Sequence, residues 1–187
     1  MSDFEFIFAL FGLLLGLSIT EVLGGLARSI EGWVQPDPTT RVGWLTPLLA
    51  LFVMLDLISF WRSAWVVRDL VTVSSNALLG VTVFASSYYL AARLVFARSL
   101  HAQPDHDEHF FRVRRVVIGI LLALLFCQVG WYLSIPDMAA QILRPRSVAM
   151  TLLLASLMIA AMLVRGRRWA TIIMAALVAR YVLLYLI

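Results

Sequence analysis

The chain opens on an apolar run, Phe4 to Arg28 (FEFIFALFGLLLGLSITEVLGGLAR), that is long enough to cross a bilayer. A spanning helix needs about 20 such residues, and several further runs reach that length. No stretch alternates apolar and polar residues over about ten positions, as the strand of a membrane barrel must. The spans are therefore helical, and the expected fold class is an all-α, polytopic transmembrane bundle.

The first run also carries instructions for packing. Gly12, Gly16, Thr20 and Gly24 recur at every fourth position and line one stripe of a helix. Such a stripe lets a second backbone approach closely in lipid. Glu21 lies beside it and is costly against acyl chains, so it requires a polar partner. The stripe is expected to pack within the chain; an oligomer seam is the alternative.

Composition agrees with a membrane protein. The 187 residues are 62% hydrophobic and 14% charged, with a mean hydropathy of +0.92. Soluble domains are nearer half apolar and about a quarter charged. One membrane domain over 1–187 is expected, with no room for a soluble one. The net charge of +4 rests on arginine alone. These arginines cluster at helix ends, where orientation and anionic lipid headgroups account for them, so nucleic acid is not an expected partner. The single cysteine, Cys127, cannot form an internal disulfide. Asp3 and Glu5 stand where a cleaved signal peptide would be basic, so the first helix is expected to be retained.

Six spanning helices are expected, over about 4–28, 43–67, 71–97, 113–135, 147–164 and 169–187. Pro36-Asp37-Pro38 breaks the chain after the first, and Pro136 stops the fourth. Trp44, Trp61 and Trp65 mark the two ends of the second as interface anchors. The first, third and fifth loops hold ten arginines, the opposite side four, and Arg180 lies inside the sixth helix. The positive-inside rule then puts those three loops in the cytoplasm and both termini on the non-cytoplasmic side.

Depth follows from the helical rise. Asp56, Gln128 and Arg180 each fall roughly 17–20 Å from the cytoplasmic ends of their helices. They are expected to form one intramembrane layer, with Asp56 and Arg180 as an ion pair and Gln128 beside them. Ser86 and Ser87 fall near the same level. Glu21 is shallower, and Arg93 is its expected partner near the inner leaflet. The layer has two readings. Matched opposite charges suit a structural pair between helices; buried ionisable groups also mark ion or proton routes. The structural reading is the stronger, because a route generally leaves a charge unmatched.

Ligand-like chemistry is confined to Gln103–Phe111. His106 and His109 share a helical face with acids around them, but two histidines fall short of a metal site and the spacing fits no metal motif. No metal is expected there. Asp105 and Glu108 instead read as the capping box of a juxtamembrane helix, with Phe110 and Phe111 in the interface and Arg112, Arg114 and Arg115 at the headgroups. No H-E-x-x-H, G-x-S-x-G or Gly-rich phosphate loop occurs. The chain reads as no enzyme and without a cofactor.

Several of these features together resemble an uncharacterised family of small six-helix bacterial inner-membrane proteins. They are the Phe4-Glu5-Phe6 start, the Gly16-Leu17 and Thr20-Glu21 core of the first helix, Phe60-Trp61-Arg62, and Phe110-Phe111-Arg112-Val113-Arg114-Arg115 before the fourth. The resemblance implies an inner-membrane, multi-pass location and carries no activity. A scaffold, sensor or complex subunit is the expected function. A small oligomeric channel or transporter using Asp56, Gln128 and Arg180 is the alternative. Expected partners are membrane lipid, a second copy of the chain, or another membrane protein.

Overall fold

The computed structural model describes residues 3–35, 43–68, 74–96 and 106–186. These form seven helices: α1 (Asp3–Val34), α2 (Leu45–Val66), α3 (Ser75–Val95), α4 (His106–Leu133), α5 (Pro136–Ile142), α6 (Pro145–Leu163) and α7 (Arg167–Leu186). The described residues hold no strand. α1, α2, α3, α4 and α6 are long and apolar enough to cross a membrane. α7 is not one of those five among the described residues; it opens on Arg167 and Arg168 and carries Arg180 within it.

Element boundaries differ from expectation where no breaker stands. α1 runs on past Arg28 to Val34, since nothing before Pro36 disrupts it, and Trp33 then stacks on Trp44 at 4.4 Å. Pro36-Asp37-Pro38 itself lies outside the described residues. α4 begins at His106 and not at 113: the juxtamembrane segment and the span are one helix, with Glu108 bonded to Arg112 at 3.2 Å across one turn. The capping residue Asp105 is outside the described residues. Residues 136–146, expected as a loop, contain α5. Pro136 occupies its first helical position, where a proline loses no hydrogen bond and its fixed φ helps. Pro145 opens α6 in the same way. At α3, Ser74 accepts from the N–H of Ala77 at 3.1 Å, an ordinary N-cap.

α2 is the central element, touching α1, α3, α4 and α7. Its Leu49, Ala50, Phe52, Val53 and Leu57 are fully buried. On α7, Ala170, Met174, Leu177 and Tyr181 recur at helical spacing and are buried as well, so this helix also has a definite inner face. The long helices alternate in direction along the chain, so α1 and α3, which touch, run parallel. The first turns of α1 and α3 meet the last turns of α2 and α4, and Arg114 near the start of α4 meets Ala161 at the end of α6.

Candidate functional site

Asp56 sits midway along α2, half-buried, with hydroxyl donors on two other helices. Tyr88 of α3 donates to its Oδ2 at 2.9 Å, and Tyr181 of α7 donates to its Oδ1 at 2.5 Å. Three helices are thus tied at one carboxylate. A buried carboxyl is costly without partners, and these two bonds satisfy both of its oxygens.

The expected ion pair with Arg180 is not formed. Arg180 instead donates to the main-chain oxygen of Met150 on α6 at 3.1 Å, and its guanidinium lies over the ring of Tyr181. Adjacent residues on a helix point about 100° apart, so only one of Arg180 and Tyr181 can face α2. The buried repeat at 170, 174, 177 and 181 selects the tyrosine.

Gln128 also stands apart from Asp56. Its side-chain amide donates to Ser63 Oγ at 2.9 Å and to the Tyr132 hydroxyl at 3.1 Å. Ser63 lies seven residues beyond Asp56 on the same helix, so the two polar clusters share a face two turns apart. One expected layer is therefore two. Ser87 turns back to its own helix, donating to the carbonyl of Val83.

Glu21 and Arg93 meet as expected, at 2.6 Å, and join α1 to α3. The small-residue stripe is mostly unpacked. The ring of Trp61 closes over Gly12, but a Cβ on Gly16 would meet open space, Gly24 faces only Arg28, and Thr20 is exposed and bonded to its own helix at Gly16. The bundle-facing row is Phe11, Leu15, Ser18 and Val22, one residue earlier in the first two turns and two in the next two. Gly25 is where close approach occurs: the ring of Phe96 occupies the place a Cβ would take.

Polar residues in the first turns of α4 serve as caps for other helices. Asp107 accepts from the N–H of Leu45 at 3.3 Å, satisfying one orphan donor of α2, and its carboxylate fills the space beside Gly43. Arg114, expected at the headgroups, is 3% exposed and turned inward. It donates to the carbonyl of Ala161 at 3.0 Å, at the electron-rich end of α6, and lies over the ring of Phe111 at 4.6 Å. Arg115 makes a longer contact to Met162. His109 is half-buried; the side chain of His106 lies outside the described ones. Among the described residues no three histidines, cysteines or acids gather.

A cavity of about 520 Å³ lies between the ends of α1, α2, α3 and α4, above the Asp56 cluster. Phe8, Phe11, Phe60 and Phe84 supply apolar walls, and Ser74, Asn76, Gln128 and Tyr132 bring polar groups to it. Phe60 stacks on Phe84 at 4.4 Å and touches Tyr88 at 5.6 Å, so one layer of rings separates the cavity from Asp56. The tyrosines and the cavity escaped the sequence reading. The signal was the apolar periodicity of α7, which puts Tyr181 on the same face as Met174. No family model, curated protein or solved structure matches this chain.

Proposed function

We propose that the protein is a six-span inner-membrane protein of bacteria that acts without catalysis, as a scaffold, sensor or complex subunit. The observation carrying this reading is the bridging of Asp56 by Tyr88 and Tyr181. The deepest acid of the chain holds α2, α3 and α7 together, as Glu21 with Arg93 holds α1 to α3. Polar groups bound in this way stabilise one arrangement of helices.

The sixth span in this reading is α7, supported by its inner face along α2 and by its antiparallel course beside α6. Its two leading arginines sit at the end of the helix, and Arg180 finds a carbonyl, so the charges are compatible with crossing. Alternating directions from α1 to α7 bring both termini to one side, and the arginine asymmetry makes that side non-cytoplasmic. The exposed loop arginines face anionic headgroups, and the apolar outer faces meet lipid, a second copy or another membrane protein.

A small oligomeric channel or transporter is the second reading. It is favoured by one observation: Asp56 is held by two tyrosine hydroxyls, with no cation of the described residues within ion-pair distance, which suits a group that changes protonation. Flux of protons and monovalent cations into liposomes holding the purified protein separates the two. The scaffold reading expects no flux above empty liposomes and a destabilised Asp56→Asn variant. Flux that the variant loses would replace it with the transport reading.

A further inference from the structure

We propose that the cavity between α1, α2, α3 and α4 binds an uncharged amphiphile whose head carries a hydrogen-bond donor, a hydroxyl or an N–H group. The site goes beyond the scaffold reading, which assigns no ligand, and stands independently of it. At about 520 Å³ the cavity is of the size that holds small-molecule ligands.

Its lining fixes the class of ligand. Among the described residues no aspartate, glutamate, lysine, arginine or histidine lines it, so a charged head would enter without a counter-charge from them, at a large desolvation cost. The phenylalanine rings suit an alkyl or ring body. At the polar wall, the donors of Gln128 are already engaged by Ser63 and Tyr132. Its side-chain oxygen accepts no hydrogen bond from the described residues, and an amide oxygen can accept two. Beside Gln128 this acceptor is left open, and a donor in the ligand's head would meet it.

The walls are braced against collapse. Phe11 packs on Phe60 at 5.1 Å, and Phe60 on Phe84 at 4.4 Å. Gly80 also lines the cavity, and a Cβ there would meet nothing within 4 Å. A side chain at 80 therefore enters the cavity without displacing protein atoms.

The chain supplies its own reporter. Cys127, the single cysteine, is exposed and lines the cavity. The experiment follows its modification by N-ethylmaleimide in the full-length protein in nanodiscs, with 1-octanol, heptyl methyl ether, octanoate or octylammonium below micellar concentration. Octanol is expected to slow the reaction saturably. The ether, which lacks the donor, and the two ions should need about fivefold more, the worth of one hydrogen bond. Gly80→Leu should abolish saturable protection, and Gln128→Leu should reduce octanol to the level of the ether. Variant folding is checked by the unfolding midpoint; should Gln128→Leu fail to fold, the octanol–ether comparison in the unaltered protein still decides. Absence of saturable protection overturns the proposal. So does equal protection in Gly80→Leu, which would mean partition into the bilayer beside Cys127, and so does equal protection by the ether or by either ion.

Discussion

Tyr181, near the end of α7, donates a 2.5 Å hydrogen bond to Asp56 at the middle of α2 and so takes the place that charge matching gives to Arg180. The arginine one residue before it points to Met150 on α6. Removing the hydroxyl while keeping the ring isolates the bond. Tyr181→Phe and Tyr88→Phe are each expected to destabilise the protein by about 1–2 kcal/mol, as removing one partner of a buried hydrogen bond does. In an Asp56→Leu background both changes should become nearly neutral, because the acceptor is gone. Unfolding midpoints in mixed micelles, arranged as double-mutant cycles, give the coupling. Additive costs in every background would show that the hydroxyls act elsewhere.

The same geometry predicts which charge swaps succeed. Asp56→Arg combined with Arg180→Asp should remain as unstable as Asp56→Arg alone, since the two side chains do not pair. Glu21→Arg combined with Arg93→Glu should recover most of the loss of either single change, because those groups touch at 2.6 Å. Each single reversal there leaves like charges in contact, at a cost of about 3 kcal/mol. Folded yield after detergent extraction reads both experiments. Rescue at 56 and 180 would restore the ion pair expected from depth alone.

That contrast marks how far the sequence can be read. Depth along a helix is a one-dimensional quantity, and it put Glu21 correctly against Arg93. It also put Asp56 and Arg180 at one level. Rotation about the helix axis was missing, and Arg180 differs from Tyr181 by about 100°. Five apolar helices long enough to cross a membrane were legible, because apolar length is stated directly in the residues. The short α5 was not, since it depends on residues that permit a helix without demanding one; the juxtamembrane helix at 106–113 was read, but not its continuity with the span. The cavity was the least legible feature: it is formed by four segments far apart in the chain, and none of them carries a signature alone.

Arg114 illustrates a further loss of information, and a test of it. Sequence gives three neighbouring arginines, Arg112, Arg114 and Arg115, with equal claim to the headgroups. Only Arg114 turns inward, to cap α6 at Ala161 and cover Phe111. Arg114→Ala is expected to cost about 2–3 kcal/mol, from the lost charged hydrogen bond and cation–π contact together. Arg115→Ala should change stability by less than about 0.5 kcal/mol, as exposed contacts do. Thermal unfolding of the two variants in one detergent compares them. Equal effects would return Arg114 to the membrane surface.

The glycines of α1 give the last prediction. A row of small residues at every fourth position suggests that Gly16 and Gly24 receive a partner helix, but the partner's ring is seated on Gly25. Adding a methyl group at 25 forces Phe96 aside, and overpacking of this kind costs about 1–3 kcal/mol. At Gly16 the added carbon meets open space, and alanine is the better helix former, so Gly16→Ala should be neutral or slightly stabilising. A bulkier Gly16→Ile separates packing within the chain from packing between chains. If the stripe joins two copies, this variant lowers the oligomer measured by cross-linking in nanodiscs while leaving the monomer's unfolding midpoint in place. If the stripe faces lipid, cross-linking and midpoint both stay unchanged, and Gly25 remains the glycine that α1 requires.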